Sequence, residues 1–133
     1  GYSVRVIDPR PAFADPQRFA GIKLDAEWPE DCLSAADFDQ ATDLCLLSHD
    51  PKIDDPALIM ALTAPGGHGY IGALGSRKTS GKRQARMLEA GISEESLSCL
   101  HSPIGLNTGS QTPAEIAVSI TAELVTFKHA SVV

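Results

Sequence analysis

A chain of 133 residues fits one domain and can bury a useful core. With 43% apolar and 21% charged residues it reads as soluble and globular, which excludes a disordered chain. The net charge of −6 excludes a general nucleic-acid binder, and no apolar run nears the ~18 residues of a membrane span.

Ser3–Ile7 alternates and is rich in β-branched residues, so it reads as a strand that ends at Asp8-Pro9-Arg10-Pro11. An acid at the carboxyl end of a second Rossmann strand holds a ribose hydroxyl, and Arg10 can face a phosphate nearby. Asp8 therefore has two readings, a ribose ligand or a turn aspartate. A first strand and glycine loop would precede this one. The chain opens at Gly1 rather than Met, close to this strand, so it reads as a fragment of a longer protein.

Ile22–Asp25 reads as a short strand and Pro29–Ala36 as a short helix, with Trp28 in core or rim packing. Asp43–Ser48 is a near-continuous apolar run, as in a central parallel strand. His49 and Asp50 follow it, where open α/β sheets bind ligands; His49 either faces a ligand or satisfies backbone groups. Asp55-Pro56 has the form of an N-cap followed by proline. The helix after it carries Leu58, Ile59 and Leu62 on one face and stops before Pro65-Gly66-Gly67.

Tyr70–Arg86 is the richest stretch. It begins as a strand at Tyr70-Ile71, turns through Gly72 and Gly75, and enters a helix near Ser76. A glycine turn between strand and helix leaves backbone N–H groups and the positive end of the helix dipole open to an anion. Arg77, Lys78, Lys82, Arg83 and Arg86 are five of the chain's 11 basic residues, with no acid among them. A phosphate site and a solvated basic face both fit this stretch. Gly91 ends the helix, Ser93 caps the next one, and Ile92 and Leu97 have the spacing of a hydrophobic staple. His101-Ser102-Pro103 closes that short helix. Pro103–Gly109 is a second glycine-bearing loop, and Thr112-Pro113-Ala114-Glu115 is a capping box with proline at N1. The last helix puts Ile116, Ile120, Leu124 and Phe127 on one stripe, read as core, before a frayed tail after Lys128.

Alternating strands and helices argue for a parallel sheet with helices on both faces. The four loops Asp8–Arg10, Ser48–Asp50, Gly72–Arg77 and Pro103–Gly109 can converge on one nucleotide-like crevice. No GxSxG elbow, HExxH or Walker loop is present, so no catalytic residue and no metal site is assigned. Cys32, Cys45 and Cys99 lack metal or redox spacing and read as reduced thiols of a cytoplasmic protein, with Cys45 a small core residue.

DPR after the first strand, SHDPKIDDPAL, YIGALGSRKT, HSPIGLNTGSQTPAEIAVSI and AELV occur in this order, over roughly Gly1–Phe127. Together they resemble the C-terminal Rossmann domain of the XdhC/CoxI family, accessory proteins of xanthine dehydrogenase and related molybdenum hydroxylases. The resemblance implies binding of the molybdenum cofactor (molybdopterin, a pterin phosphate), help with its sulfuration alongside a cysteine desulfurase, delivery to a xanthine dehydrogenase-type apo-enzyme, and a homodimer. The family's N-terminal domain and its functional cysteine are not in this chain. Asn107 stands where the family's PIGLD-type loop has an acid, which weakens any charge or metal role there, and Ser48-His49-Asp50 stands for its THD-type triplet.

The expectation is a single Rossmann-like α/β domain over 1–133, a three-layer parallel sheet with helices on both faces and its first βα unit missing. Ser3–Ile7, Asp43–Ser48 and Tyr70–Ile71 should share one sheet, and an uncovered apolar patch should mark the vacant position. The function expected is cofactor handling for insertion, not enzymatic turnover. The candidate site is Asp8, Arg10, His49, Asp50, Gly72, Gly75, Ser76, Arg77, Gly105 and Asn107, with Lys82, Arg83 and Arg86 steering the anion or touching a partner. The alternatives are an NAD(P)-dependent oxidoreductase and a nucleotide-sensing regulatory domain. Neither nucleic acid nor membrane is expected as a partner.

Overall fold

The computed structural model describes residues 1–130. Residues 131–133 of the tail expected to fray lie outside the described residues, while His129 still closes the last helix. No described helix is long and apolar enough to cross a membrane.

Two short strands, β1 (Arg5–Ile7) and β2 (Lys23–Asp25), pair in parallel from Arg5–Lys23 to Ile7–Asp25. Arg5 ties the pair together. Its Nε donates to Asp25 at 2.6 Å and its Nη2 to the Cys32 carbonyl at 2.9 Å. Cys32 ends the short helix α1 (Pro29–Cys32), and a 3-10 turn at Ala35–Asp37, capped by Ser34, takes the rest of the expected Pro29–Ala36 helix. Trp28, just before α1, is exposed at the rim.

A second ladder holds β3 (Leu44–Leu46), β4 (Ile71–Ala73) and β5 (Leu100–His101), all parallel in that order. Alternation along these strands separates two cores. Leu46, Ile71 and Ala73 pack against α2 (Pro51–Thr63), α3 (Arg77–Glu89) and α4 (Glu94–Leu97) through Leu58, Met87 and Leu97. Tyr70 and Cys45 pack instead against α5 (Pro113–His129) through Ile116, Ile120 and Leu124. Helices thus cover opposite faces of the ladder. Leu58, Ile71 and Tyr70 are fully buried, and each apolar side chain of this kind stabilises by about 1.5–3 kcal/mol.

Capping follows the sequence closely. Ser76 accepts from the Thr79 amide, Ser93 from Ser96, and Thr112 from Glu115 in a capping box. Gly91, at φ +91°, closes α3 by two reversed bonds, its own N–H to Leu88 and that of Ile92 to Met87.

Three expectations are corrected. First, Ser3–Ile7, Asp43–Ser48 and Tyr70–Ile71 do not share one sheet. β1 pairs only with β2 among the described residues, and β3 starts a separate ladder. An apolar pattern fixes which face of a strand is buried, not which strand lies beside it. Second, α2 starts one turn before Asp55-Pro56. Asp50 is the N-cap and Pro51 sits in the first turn, which brings Ile53 into the buried face and leaves Pro56 inside the helix. Third, His101 does not close a helix. Leu100 and His101 form β5.

Tyr2 and Val4, before β1, and Leu47, after β3, are exposed apolar residues. The outer face of α5 adds Val118 and Val125, which line a shallow depression with Ala117 and Ala122.

Cys45 is half-buried against the Tyr70–Ile120 core, and burial, with Asp43 and Glu123 nearby, pushes its thiol up to about 11. Such a thiol is a poor nucleophile. Cys45→Ala is expected to lower unfolding stability by about 1 kcal/mol in urea titration and to leave ligand affinity unchanged. A Cys45→Ser protein of full stability that no longer passes on its cofactor would reinstate a thiol mechanism.

Candidate functional site

The carboxyl ends of β4 and β5 and the start of α5 enclose a cleft of about 520 Å³, within the usual range for small-ligand sites. One wall is the turn into α3, with Leu74, Gly75 and Arg77. The opposite wall is the loop from Pro103 to Ser110, and the floor includes Ile104, Ile116 and Ser119. Gly75, Arg77, Gly105 and Asn107, expected as ligand residues, therefore meet at one cleft.

Local conformation explains the glycines. Gly75 lies at φ +146° and Gly105 at φ +94°, both unfavourable for other residues. A side chain on Gly105 would come within 2.6 Å of the Ser119 hydroxyl, so the loop lies directly against α5. Ser76 caps α3 by accepting the Thr79 amide at 3.2 Å, leaving the first amides of the helix, at Arg77 and Lys78, without an intrahelical acceptor. Arg77 is exposed, and no acid forms a salt bridge with it among the described residues. The start of α3 thus offers free amides and the positive end of the helix dipole, with an exposed Arg77 at its first position that no acid engages among the described residues.

The other expected residues are placed differently. Gly72 is not in the turn. It lies inside β4, buried, where a Cβ would sit 2.5 Å from both the Tyr70 hydroxyl and Ile104. Its role is to let Ile104 and Tyr70 pack across the sheet, and it does not line the cleft. Asp8 and Arg10 engage each other: Arg10 Nε and Nη2 donate to the two Asp8 oxygens at 3.0 and 2.8 Å, and Phe13 lies under the guanidinium. This pairing holds the Asp8 carboxyl below its ordinary value. Asp50 caps α2, accepting the Lys52 amide at 2.9 Å, and His49 is exposed beside it. These four line the ends of β1 and β3, away from the cleft wall.

The basic cluster divides. Arg83, expected to steer an anion, is buried; its Nη1 donates to Ser102 and its Nη2 to the Leu74 carbonyl, each at 3.2 Å. Arg86 is held by Asp55 of α2 at 2.6 Å. Only Arg77, Lys78 and Lys82 of this cluster remain exposed. The spacing Ser80, Arg83, Met87 marks the inward face of α3 and carried this information.

A buried polar group escaped sequence reading. The Tyr70 hydroxyl donates to Glu123, which also accepts the Gly105 amide at 3.2 Å and faces His101 Nδ1 at 3.5 Å. The His101 ring stacks on Tyr70 at 4.6 Å. Burial and the Glu123 carboxylate raise the Tyr70 phenol far above its ordinary value, so it stays a donor. The signal was Glu123 itself, which shares the helical stripe of Ile116, Ile120 and Phe127. Through the Gly105 amide, this group anchors the loop that walls the cleft.

A family model described as the XdhC Rossmann domain matches residues 1–124. A protein named as a probable xanthine dehydrogenase subunit, from Bacillus subtilis (strain 168), is 35% identical over 135 residues, covering 100% of this chain and 38% of that protein. An uncharacterized protein, YqeB, from Escherichia coli (strain K12) is 38% identical over 60 residues, 45% of this chain and 11% of its own length. A crystal structure of a xanthine dehydrogenase from Bacillus halodurans superposes with a TM-score of 0.75 at 27% identity, over 98% of this chain and 36% of that one. The chain spans well under half the length of these relatives.

Proposed function

The chain belongs to the family of XdhC Rossmann domains, and we propose that it is a cofactor-handling module that binds molybdopterin for delivery to a xanthine dehydrogenase-type apo-enzyme. It acts as an accessory protein rather than an enzyme, works as a homodimer, and receives sulfur for the cofactor through a cysteine desulfurase. The observation that carries this reading is the cleft. Its wall at the start of α3 offers free amides and an unpaired Arg77, the donors a terminal phosphate requires. Its volume of about 520 Å³ suits a phosphorylated pterin.

The residues present fit such a group. Gly75, Ser76 and Arg77 hold the phosphate, and Gly105 and Asn107 line the opposite wall for the remainder of the ligand. Asn107 can both donate and accept hydrogen bonds without adding negative charge beside a phosphate. When bound, the cofactor brings molybdenum–dithiolene redox chemistry that belongs to the client enzyme. This chain's residues bind, orient and shield it. The engagement of Asp8 by Arg10 weighs against the ribose contact that an NAD(P)-dependent oxidoreductase would use.

The test is calorimetric titration of the protein with molybdopterin, NADH, NADPH, ATP and ADP, each alone. Saturable binding of molybdopterin alone is the expected result. Binding of NAD(P)H alone would replace this reading with an oxidoreductase, and binding of adenine nucleotides alone would replace it with a sensor.

A further inference from the structure

Arg83 is 3% exposed, yet no acid lies within salt-bridge distance of it among the described residues. A guanidinium stays charged wherever it is placed. Its two terminal nitrogens reach only neutral acceptors, the Ser102 hydroxyl and the Leu74 carbonyl, and its Nε is buried without a hydrogen-bond partner. The buried Asp54 feels this charge from beyond salt-bridge distance, but its carboxylate is bonded to Ser48 Oγ at 2.6 Å. Taking a cation out of water without a close counter-charge is unfavourable. Arg83 is therefore a buried positive charge that the chain itself leaves incompletely matched.

Its position says where a counter-charge would act. Long side chains on a helix lean back toward the helix start. This lean carries the Arg83 head from the second turn of α3 to within 3.2 Å of the Leu74 carbonyl, two residues ahead of the Ser76 cap. Leu74 lines one wall of the cleft, and Pro103, which follows Ser102, lines the other. The guanidinium thus ties the two walls together from behind, and Ser80 Oγ strengthens the tie by bonding Ser102 Oγ at 2.5 Å. A charge in a low-dielectric interior acts over several ångströms, so it reaches an anion held against the wall without touching it.

We propose that Arg83 supplies the buried positive charge of the anion site at the start of α3, attracting the bound phosphate from behind the cleft wall. The proposal rests on the phosphate-binding reading of the cleft and extends its charge from the exposed Arg77 into the interior.

The test is calorimetric titration of wild type, Arg83→Lys and Arg83→Met with molybdopterin and, separately, with inorganic phosphate. Lysine keeps the charge but loses the planar fork, whereas methionine keeps an unbranched chain and loses both. Arg83→Met should bind each ligand about tenfold more weakly, and Arg83→Lys should stay within about threefold of wild type. A group that only braces the walls gives a different pattern, because both variants lose the fork and weaken alike. Equal weakening of the two, or wild-type affinity in Arg83→Met, overturns the proposal. Should Arg83→Met fail to fold, Arg83→Lys decides alone, and a loss of about tenfold or more there overturns the charge role. If the wild type binds molybdopterin and Arg83→Met binds it equally, only the role of Arg83 falls. If the wild type binds neither ligand, the phosphate reading of the cleft falls and the proposal with it.

Discussion

Gly72→Val should lose about 3 kcal/mol of stability, the upper part of the range for overpacking a filled core. Its first added carbon would stand 2.5 Å from the Tyr70 hydroxyl and 2.5 Å from Ile104. Neither neighbour can yield. Tyr70 is fully buried and bonded to Glu123, and Ile104 is 7% exposed with its amide bonded to the Ala73 carbonyl. Valine's own preference for strands is worth at most about 1 kcal/mol and cannot offset the clash. Urea titration should show the midpoint falling with little change in slope. Protein that remains folded at low denaturant should also bind ligand more weakly, because the displaced Ile104 lines the cleft and the displaced Tyr70 hydroxyl is bonded to Glu123, which holds Gly105. Wild-type stability in this variant would mean that Tyr70 and Ile104 do not meet across β4.

This outcome would also separate two glycines that look alike in the sequence. Gly72 and Gly75 stand three residues apart in one apparent turn, yet one is a packing position and the other a turn position. Their difference is set by pairing with Cys45 and His101 on neighbouring strands, which no local pattern records. The same cause explains the other misreadings. β5 has only two residues, too few for a period to emerge. Arg83 groups with the exposed cations in the sequence because a run of like charges gives no direction, while its inward face follows from Met87 one turn later. Asp50-Pro51 and Asp55-Pro56 carry the same helix-start signature, and the buried face of α2 chose between them. Where the controlling contact lies within four residues, the sequence was sufficient. Ser76, Ser93 and Thr112 cap the helices they were expected to cap, and Gly91 closes α3. The cleft was legible in part. Gly75, Arg77, Gly105 and Asn107 converge, whereas Asp8 and Arg10 satisfy each other.

Arg77→Ala should weaken molybdopterin binding by roughly tenfold to a hundredfold, the scale of one charge-assisted hydrogen bond. The melting temperature should barely move, because Arg77 is exposed and forms no salt bridge among the described residues. Lys82→Ala provides the contrast. Lys82 lies further along α3, beyond its first turn, so its removal should alter salt dependence and association rate more than affinity. Gly75→Val changes no charge. It places a branched side chain at φ +146° and within 3.1 Å of Thr79, disturbing the approach of the backbone to a phosphate. Ser76 and Arg77 would remain, but their geometry would not.

The decisive measurement is one calorimetric series in which wild type, Arg77→Ala and Gly75→Val are titrated with molybdopterin, with inorganic phosphate as a competitor. The expected result is saturable binding by the wild type that phosphate weakens, a roughly tenfold to hundredfold loss in Arg77→Ala, and no measurable binding in folded Gly75→Val. Wild-type affinity in both variants would contradict the phosphate site at the start of α3, placing the phosphate elsewhere and leaving Arg77, Lys78 and Lys82 as a solvated basic face.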